Sequence, residues 1–323
     1  MFKMALRCPT MRLSLTLALV AAVAIGVSAC GGTTGSPNPG GSATTAASAR
    51  PTAAADALHV VTTTTVFADI VAAVGGSRTN VHSIIPPGVG PEDYEPKPDD
   101  ARSLADAQLI VSNGVGLDDF LNRLLASGSG GTTPKLVLGD GLPTIDIDGQ
   151  PNPHFWLDPT IVKTGYLPKI VTALSAAAPA DRATFEANAA AYGAQLDALD
   201  TELKAQVATI PQENRKLVTF HDAFPYFARH FGFELVGVVL ANVGQEPNAA
   251  ELAALVEKVK AAHVRAVFSE AQFNPKLSQT LADEAGIKTV VTTLYNDALG
   301  PAPADSYPGM MRWNVSQIVE ALR

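Results

Sequence analysis

From Leu58 onward the chain alternates short β-branched runs with helix-patterned segments, a rhythm that confines it to folds built on mostly parallel sheets. LHVVTTTT leads into VFADIVAAVGG, VHSIIPP precedes a helix starting near Pro98, AQLIVSNG leads into LDDFLNRLLASG, and KLVLGDG closes a first half. KLVTFHD then leads into AFPYFARHFG, FELVGVV precedes a helix over about 247–262, and VRAVFSEA precedes NPKLSQTLADEAG. KTVVTTLYND and a terminal helix complete a second half, with no sequence repeat detectable beyond the rhythm itself. The expected fold class is therefore α/β: two lobes, each a mostly parallel sheet flanked by helices.

Residues 179–211 connect them. Phe185, Tyr192, Leu196, Leu199, Leu203, Val207 and Ile210 recur there at spacings of three, four and seven, which makes one apolar face of a long helix. Pro179 suits its first turn and Pro211 its stop. At 1.5 Å per residue the helix would run roughly 45 Å, enough to traverse both lobes and join them rigidly. A coiled-coil dimer seam is the alternative reading of the same stripe, although it calls for three to four strict heptads.

Upstream, Lys3, Arg7 and Arg12 precede an apolar stretch from Leu15 to Val27, too short for a membrane span and patterned as an export signal. Its end, VSAC, resembles a bacterial lipobox, which makes residues 1–29 a lipoprotein signal peptide and Cys30 the lipidated residue; an ordinary signal peptide cut near Ala29 is the alternative. Cys8 leaves with the signal, so the exported chain has no internal disulfide and depends on burial. Residues 30–57, rich in Gly, Ser, Thr, Ala and Pro, read as a flexible tether. The remaining boundaries are an N-terminal lobe over 58–178, the linking helix over 179–211 and a C-terminal lobe over 212–323. With 31 acidic against 23 basic residues and no basic cluster, the chain is a poor match for nucleic acid or an anionic membrane surface, whereas small cations suit it.

Ligands of open α/β sheets bind at the carboxyl ends of strands, so the polar residues that follow each apolar run are the candidates. Glu92, Asp93 and Glu95 follow VHSIIPPG, His154 lies in PNPHFWLDP, His221 and Asp222 end KLVTF, Glu270 ends VRAVFS, and Asp297 ends KTVVTTLYN. Two imidazoles and two carboxylates from four separate segments form a ligand set for a divalent first-row metal. With neutral imidazoles the total charge including the cation is zero, which permits burial. Taken singly, each has a structural reading: Asp222 or Asp297 as a helix N-cap, Glu270 as a cap or as the acceptor that orients a ligand histidine, and Trp156 and Tyr94 as core aromatics or walls of the site. Asp158 reads as the N-cap of the helix beginning TIVKTGY, and His59, His82, His230 and His263 as structural or exposed.

PPGVGPEDYEPKPDD, ADAQLIVSNG, NPHFWLDP, VTFHDAFPYFARHFG, FSEAQFNPKL and LYNDALG together resemble the solute-binding lipoproteins of ABC importers for zinc, manganese or iron (cluster A-I), over essentially Leu58 to Arg323. The resemblance implies a binding protein, not an enzyme, that captures the ion in a cleft between two lobes joined by one rigid helix. It implies His154, His221 and Asp297 as the second, third and fourth ligands. The first departs from the family: where a histidine is usual, this chain has Glu92, leaving Glu92 as ligand, Asp93 or water in its place, or a weakened site. Zinc ranks first because a histidine at position 221 resembles zinc-type members, with Mn²⁺ or Fe²⁺ as the alternative, since GLPTIDIDGQPNPH lacks a histidine-rich loop. The implied partners are a permease and an ATPase on separate chains, and a membrane reached through the lipid anchor. The implied state is a monomer, exported and anchored to the outer face of the cytoplasmic membrane, at the cell surface or in a periplasm. A secreted metallohydrolase with Glu270 as general base is the reading from another class.

Overall fold

The computed structural model describes residues 53–91, 94–126, 131–147, 149–240 and 247–323; the expected signal peptide (1–29), nearly all of the expected tether (30–57), Cys30, Glu92 and Asp93 lie outside them. All of these residues belong to one compact unit, Ala49–Arg323. In chain order its first half runs β1 (Leu58–Thr62), α1 (Thr65–Gly75), β2 (Thr79–Ser83), α2 (Pro98–Asp106), β3 (Leu109–Ser112), α3 (Asp119–Ala126) and β4 (Lys135–Val137). A two-residue-per-strand hairpin of β5 (Asp146–Ile147) and β6 (Gln150–Pro151) follows, unheralded by any strand pattern. Then come α4 (Pro159–Ile161), a π-helical turn over Val162–Tyr166, α5 (Leu167–Ala177) and the long α6 (Arg182–Val207). The second half is β7 (Lys216–His221), α7 (Pro225–Phe231), β8 (Glu234–Leu240), α8 (Ala249–Ala261), β9 (Ala266–Glu270), α9 (Lys276–Ala285), β10 (Thr289–Leu294) and α10 (Tyr307–Leu322).

Both four-stranded sheets are wholly parallel, ordered β2-β1-β3-β4 and β8-β7-β9-β10. Counted within each half, the order is second, first, third, fourth in both. The order in which strands are added therefore reverses between the first and third strands of each sheet, the switch point where α/β sheets open a crevice at their carboxyl ends.

Strand alternation partitions the core. Val60, Leu109, Val111, Leu217, Ala266 and Phe268 enter one central cluster, whereas their neighbours Val61 and Ile110, or Val218 and Val267, pack under the outer helices of their own sheet. The central cluster runs through both halves without a break. Helix α6 contributes Phe185, Tyr192, Leu196, Leu199, Leu203 and Val207 to it and touches α1, α5 and α10. That apolar stripe is consumed inside the chain, which removes it as a dimer seam. The helix is preceded by a 3-10 turn over Pro179–Asp181 and ends at Val207, so its α-helical span is about 39 Å. Pro211 lies beyond an intervening turn at Ala208–Ile210.

Candidate metal centre

The parity that builds the core also aims the site. Leu217 and Thr219 share a face with His221, and Ala266 and Phe268 share one with Glu270, so both strand-end residues face the central side of the sheet. Thr219 pairs with Phe268 across the β7/β9 switch point, which places His221 beside Glu270 two residues further on. His221 Nδ1 lies 2.9 Å from Glu270 Oε1. Glu270 is thus no helix cap, since α9 begins after Pro275. Asp297, in the loop after β10, is no cap either, because Ser306 caps α10 and accepts from Gly309 N at 3.2 Å. Asp222 holds a different place again: its backbone oxygen accepts from Asn152 at 2.7 Å, and Phe224 is the N-cap residue that precedes α7.

His154 arrives from the first half, immediately after Pro153 and before the buried turn Phe155–Leu157. Asn152 fixes it. Its Oδ1 accepts from the His154 backbone N–H at 3.1 Å and lies 3.1 Å from His154 Nδ1, while its Nδ2 donates to Asp222 O. Tyr226 in α7 accepts from Ile145 N at 3.0 Å and donates to Asn152 O at 2.9 Å, tying the hairpin that carries this segment to the second half.

His154, His221 and Asp297 converge so that one potential ligand atom from each lies within 4.8 Å of the others. His154 Nε2 is 3.5 Å from Asp297 Oδ1, and His221 Nε2 is 3.6 Å from Asp297 Oδ2. Donors about 2.0–2.2 Å from a tetrahedral ion are roughly 3.4 Å apart, so these spacings suit a common centre. All three residues are buried, and Glu270 and Asp297 are 0% exposed. Nδ1 of His154 lies 3.1 Å from Asn152 Oδ1 and Nδ1 of His221 lies 2.9 Å from Glu270 Oε1, an arrangement in which a proton on Nδ1 leaves each Nε2 lone pair on the shared side.

Two fully buried carboxylates are costly unless positive charge meets them. Burial pushes the Asp297 carboxyl above its usual range, and neither the neighbouring His221 nor the Gln272 hydrogen bond at 3.1 Å offsets it. A divalent cation would neutralise Glu270 and Asp297 together. Trp156 closes one wall, its ring 5.2 Å from that of His154 and its indole N–H donating to Asn296 O at 2.8 Å. Tyr94 instead turns into the outer core, donating to Asp100 at 2.8 Å and meeting Phe120 edge-on.

Glu92 and Asp93 lie outside the described residues. Their neighbour Pro91 lines a cavity of about 260 Å³ together with Pro153, the residue before His154. Asn152, Gln272 and Asn296 escaped the sequence reading, because a neutral amide leaves no charge signature. Asn152, two residues before His154, and Asn296, directly before Asp297, are marked only by adjacency. His230 is not a bystander: its ring lies 3.1 Å from Asp158 Oδ1 and 2.5 Å from Asp200 Oδ1, joining the start of α4, α6 and α7. Asp158 caps α4 through Thr160 N, as its position predicts.

Residues 60–321 match the family described as "Zinc-uptake complex component A periplasmic". The chain is 30% identical over 285 residues to the iron ABC transporter substrate-binding lipoprotein MtsA of Streptococcus pyogenes, covering 84% of this chain and 91% of that one. It is 32% identical over 273 residues to the manganese-binding lipoprotein MntA of Halalkalibacterium halodurans, covering 83% and 89%. The periplasmic zinc binding protein TroA of Treponema pallidum superposes with a TM-score of 0.75 at 27% identity, over 82% of this chain and 99% of its own. This is a family of transport binding proteins, so the metallohydrolase reading falls. A doubly wound pair of parallel sheets, a long connecting helix, a buried His/His/Asp cluster and these matches together place the chain in the ZnuA family of metal-binding ABC-transporter solute-binding lipoproteins (cluster A-I).

Proposed function

We propose that this protein captures a divalent transition-metal ion through His154, His221 and Asp297 and passes it to an ABC permease powered by a separate ATPase chain. The observation that carries the reading is that His154 Nε2 and His221 Nε2 lie 3.5 and 3.6 Å from the two oxygens of Asp297 in a buried cluster of the three residues. Glu92 is the proposed fourth donor, supported by the cavity that its neighbour Pro91 shares with Pro153; Asp93 is the alternative. Cys30 carries the lipid, residues 30–57 form the tether, and the folded part, 58–323, works as a monomer at the outer face of the cytoplasmic membrane. Among the described residues no helix is long and apolar enough to cross a membrane, which accords with a separate permease. The halves 58–178 and 212–323, joined by the 179–211 linker, each supply part of the donor set, His154 and Glu92 from the first and His221 and Asp297 from the second.

Zinc is the ion proposed first, because two imidazoles and a carboxylate bind it more tightly than manganese in the Irving–Williams order. Manganese or ferrous iron is the second reading, favoured by the manganese and iron relatives and by the two-oxygen approach of Asp297, which suits higher coordination. Elemental analysis of the purified exported domain, followed by competitive titration of Zn²⁺ against Mn²⁺, tests both. One bound ion per chain, lost in His154→Ala and His221→Ala, is the expected result; stoichiometric binding retained in both variants overturns the site. Glu92→Gln is expected to weaken binding with folding intact, and unchanged affinity shifts the fourth donor to Asp93.

A further inference from the structure

Asn296 stands where a ligand to His221 would stand. Its Nδ2 lies 3.2 Å from His221 Nε2 and 3.5 Å from Glu270 Oε1. Its Oδ1 accepts from Asp297 N at 2.7 Å and from Gln272 Nε2 at 3.3 Å. Two donors on one side and two acceptors on the other fix which end of the amide is nitrogen. With Nδ1 of His221 2.9 Å from Glu270 Oε1 and carrying the ring proton, Nε2 is the nitrogen whose lone pair accepts from the amide N–H.

That lone pair cannot serve an N–H and a cation at once. The neighbouring contact is different in kind: Gln272 donates to Asp297 Oδ2 at 3.1 Å, but a carboxylate has about four lone-pair sites and accommodates both partners. We propose that Asn296 is an affinity-setting place-holder, a fully buried donor that competes with the metal ion for His221 and pivots onto Glu270 when the ion binds. The pivot is short. Glu270 Oε1 is already within 3.5 Å of Nδ2, and Glu270 Oε2 accepts no hydrogen bond among the described residues. Trp156 Nε1–H holds the backbone oxygen of Asn296 at 2.8 Å, so the proposed pivot is one of the side chain.

The inference rests on the metal-capture reading and makes an opposite-signed claim from a supporting role. An amide that merely orients the loop would, when deleted, cost affinity. Deleting a competitor raises it. Asn296→Ala, stripped with a chelator and titrated with Zn²⁺ or Mn²⁺ alone against a competing indicator, is expected to bind about 2- to 10-fold more tightly than wild type, the span of one net hydrogen bond. Equal or weaker binding by a folded variant overturns the proposal while leaving the capture site standing. Should the variant fail to fold, ¹⁵N spectra of the wild-type protein decide: the Asn296 side-chain amide and His221 Nε2 resonances are expected to shift together on zinc saturation. An Asn296 amide that stays unmoved while His221 shifts overturns the place-holder alone. A wild-type protein that binds neither ion overturns both readings.

Discussion

His221 and Glu270 show how much a single residue's position can carry. Both end strands whose preceding residues alternate between inner and outer cores, so their direction follows from counting by twos. Glu270→Gln replaces the charged acceptor behind His221 with a neutral one and is expected to lower metal affinity about 10- to 100-fold at unchanged circular dichroism. Affinity also depends on pH. The imidazoles bind metal only when neutral, and burial makes Asp297 hold its proton at higher pH than an ordinary carboxyl. Proton competition therefore strengthens as pH falls through the histidine region near 6.5, and titrations at pH 7.5 and pH 5 are expected to differ by well over tenfold; equal affinities would contradict the ligand set. His221 and Asp297 were legible in the sequence because each follows the apolar run of a strand, and His154 because it stands in the motif NPHFWLDP. The amides of Asn152, Gln272 and Asn296 were not, since their roles depend on which distant acceptor the fold delivers.

Among the elements, α6 is the one whose sequence spoke most plainly, through an apolar stripe that the structure buries in the central core. Gly193 interrupts it midway. A Cβ there would meet Lys163 and Leu167 only at 3.8–3.9 Å, ordinary contact distances. Gly193→Ala is thus expected to stabilise the protein by about 0.5–1 kcal/mol in urea unfolding. Leu199→Ala, by contrast, opens a hole in the shared core and is expected to cost about 2–5 kcal/mol. His230 fastens α7 to α6 and α4. Burial works against its charge, but the hydrogen bonds and charges of Asp158 and Asp200 win and raise its pKa. Burial likewise opposes ionisation of Asp158, yet His230 and Thr160 leave its pKa lowered. The His230 contribution is complete below about pH 6.5 and fades as pH rises through its elevated value. That of Asp158 is present above the usual carboxyl value near 3.8 and fades as pH falls through its depressed one. The melting-temperature gap between wild type and His230→Gln should accordingly be widest between about pH 4 and 6.5 and narrow in alkali. A gap that widens in alkali would mean the ring acts uncharged. Nothing in the periodicity around His230 announced this clamp, because both its partners are remote in sequence.

At the scale of the whole molecule, the strand-and-helix rhythm sufficed for two parallel sheets but not for their order, which depends on which strands neighbour across crossovers. Nor did it disclose that the halves share one core. That core is reinforced by hydrogen bonds between halves: Tyr226 to the Ile145–Asn152 segment, Tyr307 Oη to Trp156 O at 2.7 Å, and Leu299 N to Thr65 Oγ1 at 2.8 Å. A rigid-body closure would break them together. Metal saturation is therefore expected to leave the radius of gyration from solution scattering unchanged within error, and a hinge-type compaction would contradict the shared core. The same continuity governs when folding can finish. Tyr307 N, at the start of α10, donates to Asp69 in α1 at 2.8 Å, and the two helices touch. The ribosome makes these partners at opposite ends of the folded region. A growing polypeptide thus cannot complete its interior until the final helix is available.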